Sequence, residues 1–257
     1  MEFSDLPREK TNCVLCGSNS RRLLSVQDTW PVAKCRECGL VYLSERPSES
    51  SLQQLYGTGY YEDEGEEAGY RGYVETFRKY RDTFMDIFEK RHRDLKKHSK
   101  GRRLLEVGCA HGFLLDHLRS RGWEVTGVEV SPLSSRYARR ELNLNVITGT
   151  VEEAELEEGS FDVVLLLDVL EHLHRPFHTL RRIGQLLSPE GILVVQCPWE
   201  LYHWEEVAEA LLRGKRPGTI RPDSIPAHLY FFQPRTLEAV LRKGGFRISA
   251  RQSGNYG

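Results

Sequence analysis

The chain has 257 residues and a mass of 29.6 kDa, which is enough for one large domain or for a medium domain with a small one. Its 36 basic and 37 acidic residues nearly cancel, which argues against a nucleic-acid partner held by overall charge. No stretch approaches the roughly 18 uninterrupted apolar residues that span a bilayer. The opening residues also lack the basic and apolar regions of a signal peptide. We therefore expect a cytoplasmic protein with no membrane partner.

Four of the six cysteines form two CxxC pairs near the beginning of the chain: Cys13, Cys16, Cys35 and Cys38. A glycine follows each pair and 18 residues separate them, a spacing typical of a zinc ribbon. Four thiolates fill a tetrahedral zinc ion and leave no open position, so the predicted zinc is structural. A redox dithiol or unligated thiols are the alternatives. The ribbon is predicted over residues 1–45, with short strands at 21–27 and 40–43.

Residues 46–100 are predicted to connect the ribbon to the remainder of the chain. The first part of this connector is rich in Tyr, Ser, Gly and Glu and includes Tyr61. From Tyr73 to about residue 98, aromatic and aliphatic residues recur at helical spacing. This periodicity predicts an amphipathic helix that covers a core.

Over residues 101–257, short apolar runs alternate with amphipathic stretches. This alternation predicts an α/β fold with a doubly wound, mostly parallel sheet and helices on both faces. The predicted strands are 103–107, 124–129, 145–148, 162–167, 191–196 and 246–250. The predicted helices are 112–121, 132–142, 176–187 and 234–243. An insertion at about 200–226 is a candidate acceptor lid, and a solvated helix and loop is the alternative.

The first of these strands runs into a turn of small residues that opens the next helix, Glu106-Val107-Gly108-Cys109-Ala110-His111-Gly112. Gly108 and Gly112 allow backbone N–H groups to approach an anionic ligand. The next strand ends at Glu129, where an acid accepts both ribose hydroxyls in doubly wound folds. Glu106 either contacts the ligand or holds backbone amides around the turn.

These residues resemble the class I S-adenosylmethionine-dependent methyltransferases over about residues 100–250. Besides the turn and Glu129, the similarity is carried by Phe161-Asp162, Leu170-Glu171-His172-Leu173 and Pro189-Glu190-Gly191. The resemblance implies a Rossmann-like fold, S-adenosylmethionine as cofactor and S-adenosylhomocysteine as its product. The residues that it implies for cofactor binding are Tyr61, Glu106, Gly108, Ala110, Gly112, Glu129, Val130, Thr150, Val151 and Asp168. Ala110 and Thr150 replace the glycine and the acid that the family usually has.

The ribbon, the connector and the core together are similar to a narrower group, the zinc-ribbon methyltransferases of sugar, polysaccharide and natural-product pathways. Cys38-Gly39-Leu40-Val41-Tyr42 and residues 225–232 carry this similarity. Sugar C-methyltransferases of this build have His-Glu-His where this chain has Pro226-Ala227-His228, so only the second histidine is kept.

His228 is predicted to be the general base, because a neutral imidazole accepts a proton near pH 7. His172 is the next candidate for the acceptor side. In the alternative interpretation, His228 only hydrogen-bonds the backbone beneath aromatic side chains.

The sequence therefore predicts an enzyme that moves a methyl group from S-adenosylmethionine to an oxygen or carbon of a small-molecule acceptor, with sugars and natural-product intermediates as the acceptors that the resemblance implies. Two alternatives stay open. One is a zinc-ribbon RNA methyltransferase, which the basic clusters at 90–103 and 213–221 favour. The other is a module that binds the cofactor without catalysis. Since the family fold has further strands near its end, we expect the sheet within these residues to be incomplete.

Overall fold

The computed structural model describes residues 6–51, 72–198, 212 and 225–252. The chain forms two compact units. The first, here called the ribbon unit, consists of residues 1–52, 170–174 and 197–247. The second, here called the parallel-sheet unit, consists of residues 53–169, 175–196 and 248–257. The bounds predicted from the sequence for the ribbon, connector and core stay a prediction.

The strands of the described residues are β1 (Arg8–Lys10), β2 (Arg21–Gln27), β3 (Trp30–Cys35), β4 (Val41–Leu43), β5 (Glu45–Pro47), β6 (Arg103–Val107), β7 (Glu124–Glu129), β8 (Val146–Thr148), β9 (Phe161–Leu167), β10 (Leu187–Gln196) and β11 (Tyr230–Phe231). The helices are α1 (Tyr73–Lys79), α2 (Arg81–His98), α3 (Phe113–Ser120), α4 (Pro132–Arg140), α5 (Pro176–Leu186) and α6 (Pro234–Lys243). A 3₁₀ turn covers Leu170–His172.

The ribbon unit is built on an antiparallel sheet in the order β11-β4-β3-β2. The predicted strands at 21–27 and 40–43 are confirmed as β2 and β4. The sheet also takes in β11, a strand from far along the chain that the sequence analysis did not predict. Its interior is aromatic, because Trp30, Tyr42, Tyr230 and Phe231 are all fully buried. A separate two-stranded ladder joins β1 to β5.

The parallel-sheet unit has five parallel strands in the order β10-β9-β6-β7-β8. This confirms the predicted doubly wound α/β sheet, and the strands predicted at 103–107 and 124–129 have those bounds. Leu104, Leu105 and the run Val163–Leu166 are fully buried, as continuous apolar strands of a covered parallel sheet should be. The chain passes from β8 across to β9, so the order of connection reverses between β6 and β9. Ligands bind at such a reversal, outside the carboxyl ends of the strands.

The predicted helices at 112–121, 132–142, 176–187 and 234–243 are confirmed as α3, α4, α5 and α6. The stretch from Tyr73 differs from its prediction, since it forms two helices separated at Tyr80. Tyr80 has φ −111° and ψ 28°, outside the helical range, and is 49% exposed. The bend allows Phe77 of α1 to stack on Phe113 of α3 with ring centroids 3.8 Å apart.

The prediction of a strand at 246–250 is wrong, because these residues have no regular structure. Their alternation of apolar and polar residues would suit a strand face, but pairing also needs a neighbouring edge. Among the described residues, none forms a ladder with them. Tyr61 and nearly all of the predicted lid at 200–226 lie outside the described residues.

Candidate functional site

The turn after β6 has a backbone that requires small residues. Gly108, Ala110 and Gly112 have φ of 75°, 48° and 81°, all in the left-handed region. A Cβ atom on Gly108 would lie 2.5 Å from Val169 Cγ2, and one on Gly112 would lie 2.6 Å from Leu144 Cδ1. Alanine at position 110 costs about 1 kcal/mol or more in this conformation, a kind of strain that concentrates at functional sites.

Glu129 holds this turn against the end of β7. Its buried carboxylate accepts the backbone N–H of Ala110 at Oε2 and the backbone N–H of Ser131 at Oε1, both at 2.8 Å. Burial raises the pKa of Glu129, while the amide donors oppose that shift. Each oxygen keeps a further lone pair for another donor. Of the two acids, it is therefore Glu129 that binds backbone amides around the turn.

Glu106 lies at the end of β6 and is the second buried acid of the turn. Burial raises its pKa to about 8, with Arg91 acting in the opposite direction and Glu129 adding to the increase. Within the described part of the chain, its Oε2 atom is buried and accepts no hydrogen bond. An orphaned carboxylate oxygen at the carboxyl edge of a parallel sheet is suited to a donor on a ligand.

A chain of side chains crosses the carboxyl ends of β9 and β10. Arg91 of α2 donates to Oε1 of Gln196 at 2.5 Å, and Gln196 Nε2 donates to Asp168 Oδ2 at 2.9 Å. Asp168 has φ 53°, and its backbone N–H donates to the Gln196 carbonyl at 2.9 Å. Arg91 and Gln196 were not predicted from the sequence. A signal existed for Arg91, because it lies between Phe88 and Leu95 on the buried stripe of its helix.

The remaining predicted cofactor contacts lie at the ends of β7 and β8. Val130 follows β7 and is exposed, whereas Val151 is buried. The hydroxyl of Thr150 donates to the Glu153 carboxylate at 2.9 Å. This leaves the lone pairs of Thr150 available, and it places an acid beside the position where the family usually has one.

The ribbon unit brings both predicted catalytic histidines together. The rings of His172 and His228 meet edge to face with centroids 4.4 Å apart. Glu171 is buried beside them, and one ligand-type atom from each of the three residues lies within 4.8 Å of the others. This cluster is here called the histidine cluster.

Burial and the neighbouring His228 lower the pKa of His172 to about 3, so its ring is neutral at physiological pH. His172 Nδ1 lies 3.0 Å from the Ala227 carbonyl. Since a carbonyl only accepts, this hydrogen bond assigns the proton to Nδ1 and leaves Nε2 as a proton acceptor. The cluster therefore contains a neutral imidazole with a defined tautomer.

The four N-terminal cysteines converge on one point. Cys13 Sγ lies 3.4 Å from Cys38 Sγ, and Cys16 Sγ lies 3.4 Å from Cys35 Sγ, while all four sulfurs lie within 4.8 Å of one another. The two knuckles repeat the same backbone, because Gly17 and Gly39 donate to the Cys13 and Cys35 carbonyls and have φ of 78° and 80°. Burial alone would raise the pKa of Cys35. Hydrogen bonds from the backbone N–H groups of Cys38 and Glu37 outweigh burial and lower this pKa to about 7. This sulfur-only donor set suits zinc.

Comparison with known proteins places this geometry in a family. Residues 77–250, more than half of the chain, match the family described as "Methyltransferase domain". The chain is 32% identical over 159 residues to a ubiquinone biosynthesis O-methyltransferase of Azorhizobium caulinodans, covering 58% of this chain and 60% of the relative. It is 35% identical over 160 residues to the protein of the same name from Nitrosococcus oceani, covering 58% and 64%. The chain thus spans about three fifths of the length of these curated relatives.

Solved structures share the fold. A SAM dependent methyltransferase from Archaeoglobus fulgidus aligns with a TM-score of 0.50 and 22% identity, covering 68% of this chain and 74% of that one. A second, from Mesorhizobium loti, aligns with a TM-score of 0.50 and 19% identity, covering 65% and 84%. Among the described helices, none combines the length and apolar character needed to cross a membrane. With its parallel sheet, its glycine turn and the family match over residues 77–250, the chain belongs to the methyltransferase-domain family.

Proposed function

We propose that this chain transfers a methyl group from S-adenosylmethionine to an oxygen atom of a small acceptor molecule. The observation that carries the proposal is the turn from Gly108 to Gly112, held by Glu129 at the reversal point of a parallel sheet. The buried acid Glu106, with an orphaned oxygen, fits a ligand that brings hydrogen-bond donors and positive charge. S-adenosylmethionine has both, in its ribose hydroxyls, its amino group and its sulfonium.

In this proposal, each part of the cofactor is bound by different residues. Glu129 accepts the ribose hydroxyls with the lone pairs that the backbone amides leave free. Val130 covers the ribose, and Thr150 and the backbone of Val151 read the adenine edge. Glu106 and Asp168 act on the methionine part, with Tyr61 as a further contact. Ala110 contributes to the turn through its backbone N–H, which Glu129 accepts.

When bound, the sulfonium of the cofactor supplies the electrophilic methyl group. The chain has to orient the acceptor, exclude water and remove a proton from the attacking oxygen. His228 is the proposed base, and the neutral His172 is its partner in the histidine cluster. The names of the curated relatives favour oxygen over carbon as the attacking atom.

A transfer assay tests the proposal. Full-length protein is incubated with methyl-labelled S-adenosylmethionine and three acceptor panels: phenols and catechols, nucleotide sugars, and total RNA. We expect label in the phenolic panel, where the transferred methyl group forms an aryl methyl ether. Label only in RNA would establish the RNA methyltransferase alternative. Label in a carbon–methyl bond of a sugar would show that the acceptor is a sugar and that the methyl group is transferred to carbon. Cofactor binding without transfer to any panel would favour the non-catalytic module.

Cofactor binding should release a proton from Glu106. Burial keeps this carboxyl largely protonated at pH 7 in the free protein. A positively charged ligand beside it favours the ionised form. Affinity should therefore rise by up to about tenfold between pH 6 and 7, with close to one proton released. Calorimetry in two buffers of different ionisation enthalpy measures this number.

The Glu106→Gln variant should lose the proton release, whereas Glu124→Gln, at the exposed start of β7, should retain it. Zero net proton exchange in the parent would contradict the role given to Glu106.

We also propose that Cys13, Cys16, Cys35 and Cys38 hold one structural zinc ion. With zinc–sulfur bonds of about 2.3 Å, tetrahedral coordination separates the sulfurs by roughly 3.8 Å, close to the spacing here. Metal analysis of freshly purified, reduced protein should find one zinc per chain. Cys35→Ser should lower the zinc content strongly and leave cofactor affinity nearly unchanged, while Cys197→Ser should keep the metal. A parent protein with far less than one zinc would refute this assignment.

A further inference from the structure

The histidine cluster is built on the ribbon sheet. Strand β11 begins two residues after His228 and pairs antiparallel with β4, placing Tyr230 opposite Tyr42. The backbone N–H of Leu43 donates to the Leu229 carbonyl at 3.0 Å. The residue that follows His228 is therefore fixed by a strand that begins three residues after Cys38.

The second histidine is attached to the segment that directly precedes β11. Leu229 N–H donates to the Glu171 carbonyl at 2.8 Å, and His172 Nδ1 bonds to the Ala227 carbonyl. Two residues further on, His174 Nε2 lies 2.9 Å from the carbonyl of Pro47, at the end of β5. The 3₁₀ turn and the segment before β11 therefore reach the ribbon through two separate sets of hydrogen bonds.

Arg46 of β5 joins these attachments through one buried guanidinium, whose side chain is only 11% exposed. Its Nη1 atom donates to the Tyr230 hydroxyl at 2.9 Å and to the His174 carbonyl at 3.4 Å. Its Nε and Nη2 atoms donate to Glu9 of β1 at 2.8 and 2.7 Å, which balances the charge. Burial raises the pKa of Tyr230 to about 12, so the phenol keeps its proton. A lysine has one ammonium in place of this planar fork and cannot make all of these contacts together.

We infer that the zinc ribbon serves as the scaffold of the histidine cluster, and that Arg46 is the positioning residue through which the ribbon holds His172 and His228. This inference rests on the proposed function for the catalytic role of the histidine cluster. The geometry of the cluster does not depend on that function. A zinc ion held by the four thiolates would fix the loop from Cys35 to Gly39, which connects β3 to β4. In turn, β4 pairs with β11, and β5 holds His174, two residues after His172. The ribbon thereby acts on the acceptor side of the reaction and not on cofactor affinity.

Nuclear magnetic resonance of ¹⁵N-histidine in the full zinc-loaded chain tests the inference without an acceptor. In the parent, His172 should show the Nδ1–H tautomer and no titration between pH 5 and 8. In Arg46→Met, the His172 signal should titrate within this range or exchange between tautomers, with zinc content at one per chain. S-adenosylhomocysteine should bind within about threefold of the parent affinity.

Arg22→Met is the matched control, because Arg22 is exposed on β2, at the opposite edge of the same sheet from β11. It should leave the His172 signal unchanged. Arg46→Lys, which keeps the charge but not the fork, should fall between the parent and Arg46→Met. A His172 signal in Arg46→Met that matches the parent would overturn the role of Arg46.

Removal of zinc by a chelator gives a second measurement if Arg46→Met does not fold. The metal-free chain should lose the His172 signature while S-adenosylhomocysteine still binds within about threefold. A preserved signature without zinc, or loss of cofactor binding together with the signature, would each overturn the scaffold role. Failure of the parent to bind S-adenosylhomocysteine would instead refute the proposed function, and the histidine signals would still decide the scaffold.

Discussion

Replacing Glu129 with alanine should weaken S-adenosylhomocysteine binding by about ten- to a hundredfold, corresponding to about 1.5 to 3 kcal/mol for lost charge-assisted hydrogen bonds. Two effects add. The ribose hydroxyls lose their acceptor, and the backbone N–H groups of Ala110 and Ser131 lose the carboxylate that holds the turn. Titration calorimetry of the folded variant measures the affinity.

Glu124→Ala is the matched control, because Glu124 begins the same strand and is exposed. It should bind as the parent does. The variant Glu129→Gln keeps one acceptor oxygen but presents an NH₂ group to the other amide, so it should lose most of the same affinity. A Glu129→Ala variant with parental affinity would show that this acid is not part of the cofactor site.

Replacing His228 with alanine should slow methyl transfer by at least about a hundredfold, since general-base catalysis contributes about 10²- to 10⁴-fold. Cofactor affinity should not change, because the proton is taken from the acceptor. The measurement is single-turnover transfer to the acceptor that the panel identifies. His178→Ala, an exposed histidine of α5, is the control and should retain parental turnover.

The variant His172→Ala separates the two histidines of the cluster. Because the proposal gives the base role to His228 and a supporting role to His172, His172→Ala should slow turnover less than His228→Ala does. A His228→Ala variant at near-parental rate with a slow His172→Ala variant would transfer the role to His172. Parental rates in both would refute base catalysis by the cluster.

The sequence predicted most of the parallel-sheet unit because its signals are local. The strand at 103–107 carries the apolar pair Leu104-Leu105, and the strand at 124–129 carries the β-branched residues Val125, Thr126 and Val128. Prolines mark the starts of α4, α5 and α6. The cysteine spacing predicted a cluster of four thiols, and the sulfurs do converge. In each of these cases the chemistry of a few neighbouring residues determines the local structure.

The failures concern contacts between distant residues. Strand β11 has two residues, and its pairing with β4 joins Tyr230 to the distant Tyr42, so no periodicity could reveal it. At 246–250 the apolar alternation was present, but a partner edge was not among the described strands. The burial of Arg46 could not be predicted from the sequence, because it depends on the distant residues Tyr230 and His174. Arg91 alone left a sequence signal, as a charge on an apolar helical stripe.

The measurement that tests the central claim most directly is a calorimetric titration of S-adenosylhomocysteine into the full zinc-loaded chain. The proposed site predicts saturable binding with one site per chain. It also predicts that Gly108→Val abolishes this binding, because a side chain there collides with Val169 and strains a left-handed backbone. No saturable heat from a folded parent protein, or unchanged binding in a folded Gly108→Val variant, would contradict the assignment of the glycine turn as a cofactor site.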